Sequence, residues 1–184
     1  ATAGAASGAP LAPAVPVPCG TMAVSPTERY GLRPATPGRP AAVLHVGVAG
    51  ARRGSGVEVL DVVVGDTAIY EDLTTSRRLA PTSATPHPLL LGAARTALPA
   101  ARVLPIGTTG RVGGADGCVV EAMEGFAVLR ACELAGVPAI DVRAISNLVE
   151  DDRAAWRRED AIAVLADVLP RLLAAVGTAL DARG

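Results

Sequence analysis

The sequence predicts a single α/β domain over residues 1–184, with three α/β/α layers and a mixed, mostly parallel central sheet. Three observations predict it. β-rich apolar runs alternate with helix-period runs in the order strand, strand, helix, strand, helix, strand, helix. The run Ala139–Ile145 is β-rich and nearly unbroken, as a strand covered on both faces reads. Polar or glycine residues gather where several of these runs end, which is where open α/β sheets bind ligands.

Composition narrows the class. Half of the residues are hydrophobic and 2% are aromatic, so the core is expected to be built of Val, Leu, Ile and Ala. A chain this long buries most of its apolar surface without disulfide help. The net charge is −1 and the arginines are scattered in pairs, which argues against nucleic acid as a partner. Cys19, Cys118 and Cys132 form neither a metal motif nor an even disulfide set and read as buried free thiols in a reducing cytosol. No cofactor and no metal is expected. No apolar run approaches the length of a membrane span, and the N-terminus lacks the pattern of a signal peptide, so a soluble cytoplasmic protein is the default.

In chain order, residues 1–40 carry eight prolines that interrupt any helix, and only Ala14–Val24 has strand character. Ala41–Ala51 is an apolar strand running into Gly47-x-x-Gly50, a spacing that suits either close approach of a ligand or a packing turn. Val57–Val64 reads as a strand that Gly65–Tyr70 continues or pairs with, and Asp72–Pro88 as an exposed loop. Leu89–Ala97 is a short helix. Arg102–Ile106 is a strand delivering Thr108 and Thr109 at its end.

The central stretch, Val119–Asn147, opens with a strand at Cys118–Val120 and places Glu121 and Glu124 around Met123. A helix follows over Gly125–Ala135, stopped by Gly136 and Pro138. Arg143, Ser146 and Asn147 then end the strand that begins at Ala139. The two carboxylates and these three polar residues, on two neighbouring strands, are expected to face one crevice. Asn147 is the single Asn of a chain without Gln or Lys, and it reads either as a functional carboxamide or as the cap of the next helix. Glu124 likewise reads as a site carboxylate or a solvated helix-start charge. A long amphipathic helix, about Arg153–Leu173, completes the chain, with Pro170 expected to kink or end it.

Four pieces, HVGVAG (His45–Gly50), VLDVVVGDTAIYED (Val59–Asp72), VEAMEG (Val120–Gly125) and RAISN (Arg143–Asn147), resemble the nucleoside phosphorylase and nucleosidase superfamily in order and rough spacing. Within it the resemblance is to the futalosine hydrolases of menaquinone biosynthesis, through Glu121-Ala122-Met123-Glu124 and the Trp of RAAWRREDAIAVL (Arg153–Leu165). The resemblance implies a nucleoside phosphorylase-like fold, a homodimer, and hydrolysis of the N-glycosidic bond of a purine nucleoside. Futalosine would give hypoxanthine and dehypoxanthine futalosine. It implies that Val48, Ala49 and Gly50 lie against ribose and base, that Met123 and Glu124 hold the sugar with Glu121 assisting, and that Thr108 and Thr109 lead into the base pocket. Asn147 would engage the purine at N7, supported by Ser146 and Arg143. Phe126 reads either as apolar site surface or as core.

These residue types suit the reaction, because positive charge builds on the ribose and negative charge on the leaving purine. Asn favours a 6-oxopurine, since a carboxamide can donate to N7 and O6. Val48 stands where the family's phosphorylases keep a phosphate-contacting Ser, and no basic cluster is expected near Gly47–Gly50, so water is the expected nucleophile. Methylthioadenosine/S-adenosylhomocysteine nucleosidase and a silent purine-nucleoside binder are the alternatives. The chain departs from the family at residues 1–40, which are Pro-rich and atypical. Ala1–Leu11 has no acidic residue where the family keeps its water-activating Glu, and Gly110–Gly117 is short. Either the sequence omits part of a longer chain or the general base is lost or moved.

Overall fold

A computed structural model describes residues 16–17, 21–24, 40–73 and 80–182. The departures at Ala1–Leu11 and over most of Gly20–Pro40 fall outside the described residues, as does Cys19. Among the described residues eight strands and three α-helices follow in order: β1 Pro16–Val17, β2 Thr21–Val24, β3 Ala42–Ala51, β4 Val62–Tyr70, β5 Ser83–Ala84, α1 Pro88–Ala97, β6 Arg102–Thr108, β7 Val120–Ala122, α2 Gly125–Ala135, β8 Ala139–Leu148 and α3 Arg158–Asp181.

The fold is α/β, with one sheet that returns on itself. β3 pairs parallel with β8, β8 antiparallel with β4, β4 parallel with β6, β6 parallel with β7, and β7 antiparallel with β3. β2 adds to the first half of β3, and β5 to the end of β4. Closure needs strands that coil. The ladder slips register between Ala49 and Gly50 in β3 and between Gly65 and Thr67 in β4, and such irregularities bend and twist a strand. Ala51, Val63, Ile106, Val120 and Ile145, one from each strand of the ring, form one buried cluster that fills its inside. Outside the ring, Leu44, Val64, Leu90, Ile140, Val142 and Leu172 pack the sheet against α1 and α3, while Val43, Ala68, Leu129 and Val137 pack it against α2.

Several expectations change in detail. β7 and β8 are not neighbours, because β3 lies between them. Residues 57–61 form a turn with Leu60 at φ 77°, so β4 starts at Val62 and runs through Gly65. Arg153–Ala155 is a short 3-10 turn, α3 begins at Arg158, and it continues past Pro170 to Asp181. By length and composition alone 153–181 could cross a membrane. Here Ala161, Leu165, Leu172 and Val176 are buried within the α1/α3 side of the core. Cys118 is a buried free thiol, while Cys132 is only half-buried.

Gly136 ends α2 as the sequence predicts, at φ 64° and ψ 28°, its N–H reaching the carbonyls of Cys132 and Glu133. This left-handed position disfavours any residue with a Cβ. Gly136→Ala is expected to destabilise the protein by about 1 kcal/mol, read from the midpoint of urea unfolding with the slope unchanged.

Candidate active site

The site grows from the glycines of β3. In the parallel ladder Gly47 stands opposite Arg143 and Gly50 opposite Asn147. A Cβ on Gly47 would lie 2.6 Å from Arg143 Nη1, and one on Gly50 would lie 3.2 Å from Asn147 Nδ2. The glycines of HVGVAG therefore clear space for two polar side chains of β8. A cleft of about 270 Å³ opens there. Every residue singled out from the sequence except Thr108 and Phe126 lines it, so strand ends that are not adjacent do face one crevice.

Arg143, 3% exposed, is held on several sides. Its Nε donates to Asp141 Oδ1 at 2.7 Å, its Nη1 lies 3.4 Å from both Glu124 Oε2 and the Val48 carbonyl, and its Nη2 contacts His45 Nε2. Arg143 lies against Gly47, and two carboxylates share its charge. His45 is fully buried. Burial, reinforced by the Arg143 charge, pulls its pKa down to about 3, so the ring is neutral and accepts from the guanidinium. Burial pushes the Asp141 carboxyl above its usual range, and the Glu124 charge adds to this while Arg143 opposes it. Glu124 occupies the N-cap position of α2 without using its side chain as a cap, and that side chain is 43% exposed beside Arg143.

Ser146 and Asn147 form the opposite end. The Ser146 hydroxyl lies 2.8 Å from Asn147 Oδ1 and 3.3 Å from the Ala49 carbonyl. Asn147 Nδ2 donates to the Leu148 carbonyl at 3.0 Å, which fixes the amide's orientation, since a carbonyl can only accept. The carbonyl side of the amide is thus engaged by Ser146, and the second N–H of Nδ2 is left for a ligand. Asn147 lies inside β8, and the turn and helix that follow start at Asp152 and Arg157, so it caps neither.

Two residues are spent otherwise than the resemblance implies. Glu121, 6% exposed, accepts from the backbone N–H of Gly113 at 2.6 Å and of Ala115 at 3.2 Å, anchoring the loop between β6 and β7. Thr108 Oγ1 accepts from the Phe126 N–H at 2.9 Å and caps α2 from outside the cleft. Thr109 lines the cleft, but its hydroxyl donates within a cluster formed by Asp72 Oδ1 and the Arg111 carbonyl. Met123, 51% exposed, forms part of the lip. Phe126 stacks on Tyr70 at 5.3 Å and belongs to the α2 core cluster. Arg111, Val112 and Trp156 line the cleft without having been singled out as site residues. Trp156 could have been found, as the chain's single Trp and part of the RAAW match; Arg111 and Val112 lie in a glycine-rich link with no periodicity to place them.

The sequence pattern of the Phosphorylase superfamily matches residues 15–181. The chain belongs to that superfamily. It is 49% identical over 57 residues to a futalosine hydrolase of Streptomyces coelicolor and 44% identical over 64 residues to one of Thermus thermophilus. These stretches cover 30% and 34% of this chain but 24% and 28% of those proteins, so the match spans about a quarter of the curated relatives' length. Two solved structures show the same superfamily fold. The S-adenosylhomocysteine nucleosidase of Streptococcus pyogenes aligns with a TM-score of 0.65 at 23% identity, over 73% of this chain and 67% of that one. The futalosine hydrolase of Helicobacter pylori aligns with a TM-score of 0.65 at 18% identity, over 73% and 68%.

The buried neutral His45 makes stability depend on pH. Between about pH 6.5 and 3 the unfolded chain binds a proton at this residue that the folded protein does not, so ∂ΔG/∂pH is positive and acidification favours unfolding. His45→Gln keeps an acceptor for Arg143 and removes this titration. Between pH 6.5 and 5 the parent is expected to lose about 2 kcal/mol more stability than the variant, measured by urea unfolding at each pH.

Proposed function

We propose that the protein is an N-glycosyl hydrolase that splits futalosine into hypoxanthine and dehypoxanthine futalosine, a step of menaquinone biosynthesis, in the cytoplasm and as a homodimer. The observation that carries this reading is the pairing, in one cleft, of the Glu124 carboxylate with the Asn147 amide. A departing purine leaves positive charge on the ribose, which a carboxylate stabilises, and takes negative charge onto its own ring, which an N–H donor stabilises. Of the two carboxylates lining the cleft among the described residues, Glu121 has both oxygens on loop amides, so the sugar falls to Glu124. Local identity to two futalosine hydrolases supports the substrate.

The amide orientation bears on the purine. With Ser146 on its carbonyl side, Asn147 presents chiefly an N–H, which suits N7 and O6 of a 6-oxopurine and leaves the 6-amino group of adenine without a good acceptor. That favours futalosine over methylthioadenosine. Water is the nucleophile in this reading, because Val48 offers phosphate no donor side chain and Arg143 is already flanked by Asp141 and Glu124.

The test is to incubate the protein with futalosine, inosine, methylthioadenosine and S-adenosylhomocysteine and follow free base by chromatography. Hypoxanthine is expected from futalosine without added phosphate. Binding without base release would instead mark a silent binder, and a ribose 1-phosphate product a phosphorylase. Glu124→Gln is expected to lower kcat/KM for futalosine by about a hundredfold while circular dichroism stays unchanged. Asn147→Asp is expected to move the ratio of kcat/KM for 6-oxo over 6-amino nucleosides by about tenfold or more toward the amino substrates. An unmoved ratio removes Asn147 from base recognition.

A further inference from the structure

We propose that Asp141 and His45 are positioning residues that lock the Arg143 guanidinium and through it set the place of Glu124, an inference that rests on the reading of Glu124 given above. Neither residue lines the cleft, yet both are buried polar groups in strands built mainly of Ala, Val, Leu, Ile and Gly. Removing a carboxylate from water costs several kcal/mol, which well-packed apolar side chains would avoid. What the arrangement secures is geometry.

Arg143 has five N–H donors, and four have named acceptors: Nε–H goes to Asp141, one Nη2 hydrogen to His45, and the Nη1 pair to the Val48 carbonyl and Glu124. With Nε and Nη2 both engaged on the buried side, the plane of the guanidinium cannot turn about its last bonds. Nη1 is therefore presented to the cleft in one direction. The contact distances are unequal in a useful way. Asp141 takes the cation at 2.7 Å, while Glu124 stands at 3.4 Å. Asp141 is thus the nearer of the two carboxylates to the cation, and Glu124 is oriented by the guanidinium while its side chain stays half-exposed.

The surrounding backbone is cut to this arrangement. Gly47 leaves room for Nη1. A Cβ on Gly125, the residue after Glu124, would lie 2.5 Å from Asp141 Oδ2, so the start of α2 rests directly on the Asp141 carboxyl. That oxygen is buried without a hydrogen-bond partner. Its neighbour is the N-terminal end of an eleven-residue helix, whose dipole favours a negative charge there. Asp141 therefore links the guanidinium to the segment that carries Glu124. His45 completes the lock as an uncharged acceptor: it fixes Nη2 without competing for the cation.

The experiment reads Arg143 directly and then the reaction. In ¹⁵N NMR of the whole protein, a locked guanidinium gives two resolved Nη signals, assigned to Arg143 by their loss in Arg143→Lys. Those signals are expected to merge into one in His45→Leu, and to stay resolved in His45→Gln, which keeps an acceptor. In base release from futalosine, Asp141→Asn, which frees Arg143 to close on Glu124, is expected to lower kcat by about tenfold to a hundredfold with KM nearly unchanged. If Asp141→Asn does not fold, the two His45 variants decide, Leu merging the signals and Gln preserving them. Resolved Nη signals in His45→Leu would overturn the lock, and so would an unchanged kcat in folded Asp141→Asn. Merged signals with no base release from any form, parent included, would uphold the lock and reject the reading of Glu124 in catalysis.

Discussion

Neighbouring residues on a β-strand face opposite sides of their sheet, and the cleft depends on one place where that alternation is broken. Up to Ala49, β3 pairs with β8 in simple parallel register, Ala49 opposite Ile145. The next pair is Gly50 with Asn147, so Ser146 is the extra residue of the pairing. Through this slip Ser146 and Asn147, consecutive in sequence, both line the cleft, and Ser146 can engage the Asn147 carbonyl from 2.8 Å. Regular pairing would turn one of them away. The slip also helps β3 to bend toward β7, which brings the Glu121–Glu124 segment to the same opening.

The sequence was most legible where local rules and tertiary demands agree. Gly125–Ala135 with its stop at Gly136 follows from period and cap chemistry alone, and its bounds match. The cleft-lining ends of β3 and β8 were legible for a different reason: glycines and lone polar residues stand out against an apolar background. What was hidden is long-range. Closure of the sheet is a property of five strands together, and nothing in β7, three residues long, shows that β3 separates it from β8. Pro170 reads as a kink or a stop because its ring cannot complete the helix ladder, yet burial of Leu172 and Val176 beyond it holds the last turns in place. Side-chain commitments were equally hidden. Glu121 and Thr108 carry the right chemistry for a site, and only the contacts reveal that loop amides and a helix end have claimed them.

Those commitments shape the wall of the cleft. The loop between β6 and β7 contains Gly110, Gly113, Gly114 and Gly117, a composition with large conformational freedom. Carboxylates from outside it hold its backbone along the whole length: Asp72 takes the N–H of Gly110, Glu121 those of Gly113 and Ala115, and Glu71 that of Gly117. Arg52 adds a bond to the Ala115 carbonyl from the end of β3. A ligand entering beside Arg111 and Val112 therefore meets a surface already formed. Affinity is not taxed by the entropy of ordering that segment. Nor does a bound ligand wait for it to open, because a wall pinned at so many points is a fixed channel side rather than a door.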